Sequence, residues 1–456
     1  SLHDALPIYA VAMTGGQRHD GDLSPQQITF QLHAEGIREI YLVSENPDAY
    51  PADTIAPGVK LFHRDELENV QKMCRDTKGT SAIVFVQTCA AEKRRRRKRG
   101  LMEDPARRVL INPAVCEGCG DCSVQSNCIS VEPLETELGR KRTINQSTCN
   151  KDYSCVKGFC PSFVTVDGGT LKRRAPTELG DIGALPEPAS KPALDRPYNI
   201  AVGGVGGTGV LTIGALLGMA AHVQGLACST LDFTGLSQKN GAVMSHVRLA
   251  PASDMLTTVR IAPGNANLIL GCDLVVATSV PALSRAERGF TRAVVNADLL
   301  PTASFVIDPD IDFEASSMRD ALNGAVRPDD LDILDATGLA TALMGDSIAT
   351  NAFMLGFAFQ RGAIPLSLEA ILKAIELNGA AIEMNKTAFS WGRLAAHDLQ
   401  RVVSAARFKN AGAALAKKTL DEAIAFRAKF LTDYQDAAYA KRYLDDVARV
   451  RAAEAA

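Results

Sequence analysis

The most informative stretch of the sequence is Cys116-Glu-Gly-Cys119-Gly-Asp-Cys122, together with the cysteines that follow it at Cys128, Cys149, Cys155 and Cys160-Pro161. These are seven of the eleven cysteines in a chain of 456 residues. Two-residue gaps let one tight loop direct three thiolates at a cubane cluster, and a distant cysteine before proline supplies the fourth corner. Gly118 and Gly120 suit this loop because glycine tolerates positive φ, which lets backbone amides turn towards cluster sulfurs. We therefore predict one [4Fe-4S] cluster, bound by Cys116, Cys119, Cys122 and Cys160.

The three other cysteines of this stretch, Cys128, Cys149 and Cys155, are candidates for a second cluster. Their spacing is irregular, and no fourth thiolate is evident for them. A structural zinc site also uses four thiolates, but zinc favours two separated Cys-x2-Cys pairs over three thiols in one run. A disulfide framework is disfavoured because no secretory signal precedes the cysteines and a chain of this length does not need such cross-links.

The overall composition is that of a globular protein, with 46% hydrophobic residues and a length that predicts about three domains. The formal net charge of −3 gives no reason to expect nucleic acid as a partner. No apolar run approaches the ~20 residues of a membrane span, so we expect no membrane association. Eleven cysteines without a signal peptide indicate a cytoplasmic protein. The chain starts at Ser1 and stops within a helical pattern, so we expect a fragment.

The region before the cysteines alternates strand and helix patterns. Ser24 and Pro25 are typical of a helix start, as cap and first-turn residue. Strand patterns occur at 10–14, 40–43 and 83–87. A helical pattern lies between each pair of them, one after Ser24 and one at 64–74. This alternation predicts a parallel sheet of the α/β type.

A glycine-rich loop at 203–209 lies between a predicted strand at 199–202 and a predicted helix at 210–223. Glycines let the backbone approach a phosphate, and the amino end of the helix supplies unpaired amides. The loop matches the dinucleotide fingerprint, with Asp232 near the end of the next strand as a candidate ribose ligand. The alternative is a tight, closely packed strand-to-helix turn. The candidate cofactor-binding residues are Gly203, Gly204, Gly206, Gly207 and Gly209.

Two further stretches carry a family resemblance. Ala10-Val-Ala-Met-Thr-Gly-Gly-Gln17, with the later Val86-Gln-Thr-Cys-Ala-Ala-Glu92, resembles the end of the thiamine-diphosphate domain of indolepyruvate ferredoxin oxidoreductase. The glycine loop, followed by Ser237-Gln238-Lys239 and Ser245-His246-Val247-Arg248, resembles the gamma domain of 2-oxoacid:ferredoxin oxidoreductases. The cysteines lie between these two stretches, so the resemblance covers the chain from Ala10 onwards.

The resemblance implies an α/β multidomain architecture. Its expected parts are the end of a thiamine-diphosphate domain (1–104), a ferredoxin-like module (105–174), a linker (175–197), a Rossmann-like gamma domain (198–395) and the start of a helical C-terminal domain (396–456). It also implies that Thr14, Gly15, Gly16 and Gln17 lie near thiamine diphosphate and Mg²⁺. The family motifs that hold the diphosphate and the metal are missing before Ala10, so we do not expect this piece to bind thiamine diphosphate alone.

The implied reaction converts an aryl 2-oxo acid and coenzyme A into aryl-acetyl-CoA and carbon dioxide, with electrons passed through [4Fe-4S] to ferredoxin. Thiamine supplies the carbanion sink, and the cluster accepts electrons singly. We expect a homo-oligomer when full length, and an inactive fragment alone. One alternative is an NAD(P)H-dependent electron-transfer protein, based on Gly204, Gly206, Gly209 and Asp232. Another is an assembly piece that holds a cluster without turning over.

Three other features leave open interpretations. The seven cations of Lys93-Arg-Arg-Arg-Arg-Lys-Arg99 are typical of a solvated loop; nucleic-acid binding and attraction of acidic ferredoxin or of coenzyme A phosphates are the alternatives. His246 is either a hydrogen-bonded structural residue or a proton carrier, and Gln238, Lys239, Ser245 and Arg248 have no assigned step. Tyr439, Tyr443, Val447 and Val450 predict one buried face of a C-terminal helix.

Overall fold

The computed structural model describes residues 23–88, 93–94, 96–97, 100–126, 128, 130–169, 185–206, 208–234, 241–300, 308, 312, 314–406 and 419–454. Within these ranges the chain is mixed α/β, with a three-stranded sheet, a six-stranded sheet and two separate two-stranded ladders. The strand expected at 10–14 lies outside the described residues. No described helix combines the length and the apolar composition needed to cross a membrane.

The N-terminal part forms a small parallel α/β unit, as its alternating pattern predicts. Helix α1 (Pro25–Ala34) begins after Ser24, whose hydroxyl accepts the Gln27 amide while the Gln27 side chain accepts the Ser24 amide. Strand β1 (Glu39–Ser44) lies between the parallel strands β2 (Lys60–His63) and β3 (Ser81–Val86), with helix α2 (Leu67–Asp76) connecting these two. Strand β2 was not expected, because this edge strand is short and half-exposed.

The cysteines lie in a second unit, which we call the cysteine module (residues 107–167). Its elements in order are strand β4 (Arg107–Ile111), helix α3 (Asp121–Ser126), strands β5 (Val131–Thr136) and β6 (Gly139–Ile144), and strand β7 (Phe163–Asp167). Strand β4 pairs with β7 and β5 pairs with β6, both antiparallel. A small core of Val109, Ile111, Cys116 and Ile144 holds these elements together.

The six-stranded sheet forms the centre of the third unit. Its strands are β8 (Tyr198–Val205), β9 (Ala227–Thr234), β10 (Ala242–Ala250), β11 (Leu268–Gly271), β12 (Arg292–Asn296) and β13 (Leu331–Leu334). The spatial order is β13-β12-β11-β8-β10-β9, with β10 antiparallel to both neighbours. The first helix of this unit is α4 (Val210–Val223), which begins at the residue expected from the sequence.

One expected strand is shorter than its apolar pattern suggests. The pattern at 268–277 predicts a continuous strand, but β11 ends at Gly271 and helix α5 (Leu274–Ala277) follows. The cause is Asp273, whose carboxylate accepts the Val276 amide at 2.7 Å and caps the new helix. Strand β13 was also not expected, since the region was predicted to be helical only from Ala336 onwards.

Helices cover both faces of the sheet and continue to the C-terminus. After α6 (Val280–Leu283) they are α7 (Ala315–Ala325), α8 (Ala336–Met344), α9 (Thr350–Gln360), α10 (Leu368–Asn378), α11 (Ile382–His397), α12 (Leu399–Ala406), α13 (Leu420–Tyr434) and α14 (Ala437–Glu454). Helices α9 and α11 cross closely at Gly356 and Gly392, where a Cβ atom would collide with the backbone of the other helix. Ser367 caps the start of α10, and Gly379 at φ +69° follows its end.

The buried face expected for the last helix is present in part. Tyr439, Tyr443 and Val447 are half-buried on the side of α14 that carries the buried Ala440, whereas Val450 is 58% exposed. Helix α14 packs against α13, and the Tyr434 and Tyr439 rings lie 6.1 Å apart at their junction. Helix α13 has no buried residue, so this helical hairpin covers the apolar stripe of α14 only partly.

The linker expected at 175–197 is irregular but attached. Its described part, residues 185–197, forms neither helix nor strand, as expected. The Pro186 carbonyl accepts hydrogen bonds from Gln360 (2.8 Å) and Arg393 (3.3 Å), and Leu185 and Leu194 pack against the third unit.

Candidate functional site

The first cysteine loop (residues 116–122) is a tight turn built on two glycines. Gly118 has φ +79° and Gly120 has φ +85°, which confirms the positive φ expected for both. A Cβ atom on Gly118 would overlap the carbonyl oxygen of Arg140. The loop is tied at its start by Asn112, whose backbone oxygen accepts the Cys116 amide at 3.0 Å and whose side chain accepts the Ala114 amide.

The second cysteine loop (residues 149–155) repeats this backbone 33 positions later. Lys151 and Tyr153 have φ 53° and 59°, at the places that Gly118 and Gly120 hold in the first loop. Asn145 repeats the role of Asn112: its backbone oxygen accepts the Cys149 amide at 3.0 Å, and its side chain accepts the Ser147 amide. This repeat was not predicted, although Ile-Asn at 111–112 and 144–145 is a signal for it.

The two halves of the cysteine module exchange their strands. Ile111, before the first loop, pairs with Phe163 of the second half, and Ile144, before the second loop, pairs with Val131 of the first half. The Asn112 amide donates to the Ser162 carbonyl, and the Asn145 amide donates to the Ser130 carbonyl, both at 2.8 Å. Ser162 and Ser130 each lie two residues after a cysteine. Cys160 is thereby brought to the first loop and Cys128 to the second.

The thiols influence one another within each loop and also between the loops, since Cys122 contributes to the raised pKa of Cys155. Burial raises the pKa of the Cys122 thiol; the nearby Arg142 opposes this effect, and Cys116 and Cys119 add to it. Burial, with Cys128 and Cys149, raises the pKa of Cys155 to about 12. Cys116 is buried, Cys119 is exposed, and the other five thiols of the module are half-buried.

The residues of the first loop are compatible with a cluster. Gly118 has no space for a side chain beside the Arg140 carbonyl, and Ser123 Oγ is buried without a hydrogen-bond partner beside Cys122. Among the described residues, no group of three or more His, Cys, Asp or Glu side chains is arranged to hold a single metal ion. The thiolates of a cubane bind separate iron atoms, so they surround a cluster rather than one point.

The basic run at 93–99 contacts the protein, so its interpretation as a solvated loop is wrong for three of its side chains. Lys93 pairs with Glu45 at 2.9 Å. Arg94 donates to the Ser147 and Thr148 carbonyls, and Arg97 donates to the Asn150 carbonyl at 2.7 Å. These two arginines therefore hold the second loop. Arg95, Lys98 and Arg99 lie outside the described residues.

The glycine loop after β8 is closely packed. A Cβ atom on Gly204 would lie 2.6 Å from Val210 and 2.8 Å from Cys272. The Gly206 amide donates to the Gly241 carbonyl at 2.8 Å, and Gly209 has φ +98° at the start of α4. Gly203 lies within β8 and Gly207 lies outside the described residues. Close packing thus accounts for Gly204, whereas the amino end of α4 has no side-chain cap.

A buried carboxyl group supports the glycine loop. Asp273 accepts the Val205 amide at 2.7 Å through its second oxygen, and its side chain is fully enclosed. Burial raises the pKa of Asp273 to about 7, with its backbone hydrogen bonds opposing that rise. This side chain links the end of β8 to the start of α5.

Asp232 does not lie where a ribose ligand of a dinucleotide would be. It pairs in register with Ser245 of β10, and β10 separates its strand from β8. In a dinucleotide-binding fold the strand that carries this acid lies directly beside the glycine-loop strand. The inserted antiparallel strand therefore removes the main support for the NAD(P)H alternative.

The polar residues of β10 have structural roles. His246 is buried, accepts the Ile261 amide on Nδ1 at 3.0 Å, and packs against Phe233. Burial, with Arg285 and Arg260, lowers the pKa of His246 to about 4, so the ring is neutral at neutral pH. Arg248 donates to the Asn199 side chain at 2.9 Å, and Ser245 packs against Gly214 of α4.

Several expected site residues lie outside the described residues. They are Thr14, Gly15, Gly16 and Gln17 of the N-terminal stretch, and Gln238 and Lys239 before β10.

Comparison with known proteins finds similarity in two regions of the chain. Residues 199–395 match the model for pyruvate ferredoxin/flavodoxin oxidoreductase, and residues 420–456 match a family of unknown function, DUF6537. Indolepyruvate oxidoreductase subunit IorB of Pyrococcus horikoshii is 29% identical over 207 residues, which are 45% of this chain and 98% of that protein. The same subunit of Thermococcus kodakarensis is 28% identical over the same shares of both proteins.

Solved structures give a further likeness. The pyruvate oxidoreductase subunit PORC of Thermotoga maritima covers 44% of this chain and 96% of its own, at 20% identity and a TM-score of 0.32. Through residues 199–395 the chain is similar to pyruvate ferredoxin/flavodoxin oxidoreductases and to the IorB subunits, and the resemblance expected for this region is confirmed.

Proposed function

We propose that this chain is the electron-exit part of an indolepyruvate:ferredoxin oxidoreductase. The whole enzyme would convert an aryl 2-oxo acid and coenzyme A into aryl-acetyl-CoA and carbon dioxide. Its electrons would leave through a [4Fe-4S] cluster bound by Cys116, Cys119, Cys122 and Cys160 to ferredoxin. The substrate class is taken from the two similar proteins of Pyrococcus horikoshii and Thermococcus kodakarensis, which are indolepyruvate oxidoreductase subunits.

The observation that carries this proposal is the two-fold arrangement of the cysteine module. In ferredoxins with two clusters, three cysteines of one loop share a cluster with the cysteine-proline of the other half. The strand exchange and the Asn112–Ser162 hydrogen bond support this arrangement for Cys160 and the first loop. A ferredoxin-like module attached to the oxidoreductase domain is what an electron exit requires.

The protein groups around the first loop would control the cluster's charge. When bound, a [4Fe-4S] cluster accepts one electron at a time. Arg142 is 1% exposed and lies close enough to Cys122 to lower the pKa of its thiol. A buried cation favours the thiolate form needed for binding and also favours the more negative, reduced state of the site. The solvent-exposed Cys119 marks the side on which an electron partner would approach.

The third unit would bind the coenzyme A end of the reaction. The glycines at 203–209 and the uncapped amino end of α4 lie at the carboxyl end of β8, where ligands of α/β sheets bind. A phosphate is the chemical group that such amides bind best. Thiamine diphosphate and Mg²⁺ would be held mainly by segments upstream of Ala10, with Thr14, Gly15, Gly16 and Gln17 at their edge.

Metal analysis and spectroscopy test the cluster assignment. The chain is purified anaerobically, iron and acid-labile sulfide are measured, and EPR spectra are recorded at low temperature after dithionite reduction. We expect iron and sulfide in equal amounts, and we expect Cys119→Ser to abolish the signal of the first cluster. Cys228→Ser is the matched control, since Cys228 lies in β9. Zinc without sulfide, or an unchanged spectrum for Cys119→Ser, would contradict the proposal.

A further inference from the structure

We propose that the second half of the cysteine module binds a second iron–sulfur cluster, in which the carboxylate of Asp152 replaces the missing fourth thiolate. The other ligands are Cys128, Cys149 and Cys155. This inference rests on the proposed function, because it assumes that the module is ferredoxin-like.

The position of Asp152 follows from the repeat. Asp152 lies three residues after Cys149, as Cys119 lies three residues after Cys116. In both loops this central residue is exposed and is flanked on each side by a residue with positive φ. The outer cysteines also correspond, because Cys155 follows Cys149 at the distance that separates Cys122 from Cys116. The equivalent backbone therefore presents a carboxylate where the first loop presents a thiolate.

The strand exchange supplies the remaining ligand. Ser130 accepts the Asn145 amide at 2.8 Å, so the chain two residues before Ser130 runs beside the second loop. Cys128 occupies that place, as Cys160 does beside the first loop. The second loop and Cys128 therefore supply three thiolates and one carboxylate, which together make the four ligands of a cubane cluster.

The surroundings of the second loop compensate the negative charge of such a site. Arg97 donates to the Asn150 carbonyl at 2.7 Å, and Lys151 is 7% exposed beside Asp104. Asp152 Oδ2 accepts a hydrogen bond from Ser154 Oγ at 3.1 Å, which orients the carboxylate.

A carboxylate ligand should make one iron easier to remove. Oxygen ligands are harder than thiolates and hold iron of a sulfur cluster less firmly. Ferricyanide takes one electron from [4Fe-4S]²⁺, and the [4Fe-4S]³⁺ formed releases Fe²⁺ to leave [3Fe-4S]⁺. The charges balance, and the released iron is the one that Asp152 binds.

The test compares Asp152→Cys, Asp152→Ala and the control Ser154→Ala in the full chain. Native mass spectrometry counts iron and sulfide before and after ferricyanide, and EPR of the oxidised samples detects [3Fe-4S]⁺. We expect about eight irons in the unmodified chain and the loss of about one on oxidation. Asp152→Cys should retain that iron, Asp152→Ala should lack it from the start, and Ser154→Ala should behave nearly as the unmodified chain.

The outcomes separate this inference from the proposed function. If Asp152→Cys and Asp152→Ala both match the unmodified chain in iron content and oxidised spectrum, the assignment of Asp152 is wrong. If the chain holds about four irons, all lost with Cys119→Ser, the second cluster is absent while the proposed function stands. A chain without sulfide contradicts both proposals.

Discussion

The two cysteine loops have the same backbone but reach it with different residues. The first uses Gly118 and Gly120, for which positive φ costs little in the folded state. The second uses Lys151 and Tyr153, for which this conformation costs about 1 kcal/mol each or more. Their side chains offset the strain: Lys151 contacts Asp104 at 2.5 Å, and the Tyr153 hydroxyl donates to the Arg107 carbonyl at 3.0 Å. The first loop therefore keeps its conformation through its two glycines, and the second loop keeps it through the contacts of Lys151 and Tyr153.

The largest effect that separates the loops is expected for Gly118→Ala. Its Cβ atom would overlap the Arg140 carbonyl in addition to adopting positive φ, so strand β6 would have to move. We expect a loss of at least about 3 kcal/mol in the free energy of unfolding. The first cluster should be lost, whereas the second loop, which has no glycine at this place, should be less affected. Chemical denaturation and the iron content measure these effects.

Gly139→Ala is the matched control for this substitution. Gly139 has φ +87°, but no atom lies within 4 Å of its added Cβ atom. We expect a loss of about 1 kcal/mol and full iron content. Equal losses for both variants would show that backbone strain alone, rather than contact with Arg140, explains the need for Gly118.

A second difference between the halves is the buried carboxyl of Glu132 in β5. Burial raises the pKa of Glu132 to about 7, while Asn145 donates to it at 2.9 Å and opposes that rise. A pKa raised by folding gives stability that is present below the unfolded value and lost as the pH rises through 7. Glu132→Gln should therefore match the unmodified chain near pH 4 and exceed it by about 2 kcal/mol at pH 8. The free energies of unfolding of both proteins are measured by chemical denaturation at both pH values. A difference between the two proteins that is equal at pH 4 and pH 8 would contradict this expectation.

The smallest effect is expected at the attachment of the second loop. Asp104→Asn removes the carboxylate beside the buried Lys151 ammonium and should cost about 1 to 2 kcal/mol, since Asp104 is half-exposed. Asp167→Asn is the control, because Asp167 and its partner Arg107 are both exposed. It should cost less than about 0.5 kcal/mol. Equal midpoints in urea for the two variants would contradict the role of Lys151 in fixing the loop.

Local signals in the sequence predicted much of the fold. Ser24 and Ser367 mark helix starts because their side chains satisfy amides nearby in the chain. The positive φ values of the two glycines in the first loop were likewise predicted from the residue type alone. What depends on distant contacts was missed: the insertion of β10 beside β8, and the attachment of Arg94 and Arg97 to the second loop.

The candidate site was predictable to a similar extent. The cysteine spacing identified the first loop, because its ligands are close in sequence. Pairing of Cys128 and Cys160 with the opposite loops requires the strand exchange, which the chain order does not reveal. Asp152 could be recognised only after Lys151 and Tyr153 were found in the conformation of Gly118 and Gly120.

The central claim is that each half of the cysteine module holds a redox cluster. Its most direct test is low-temperature EPR with spin quantitation on the anaerobically purified, dithionite-reduced chain. Two neighbouring clusters predict two spins per chain, with a spectrum broadened by their magnetic interaction. A single sharp signal of one spin would contradict a second cluster, and a reduced sample without any signal from iron and sulfide would contradict the electron-transfer role.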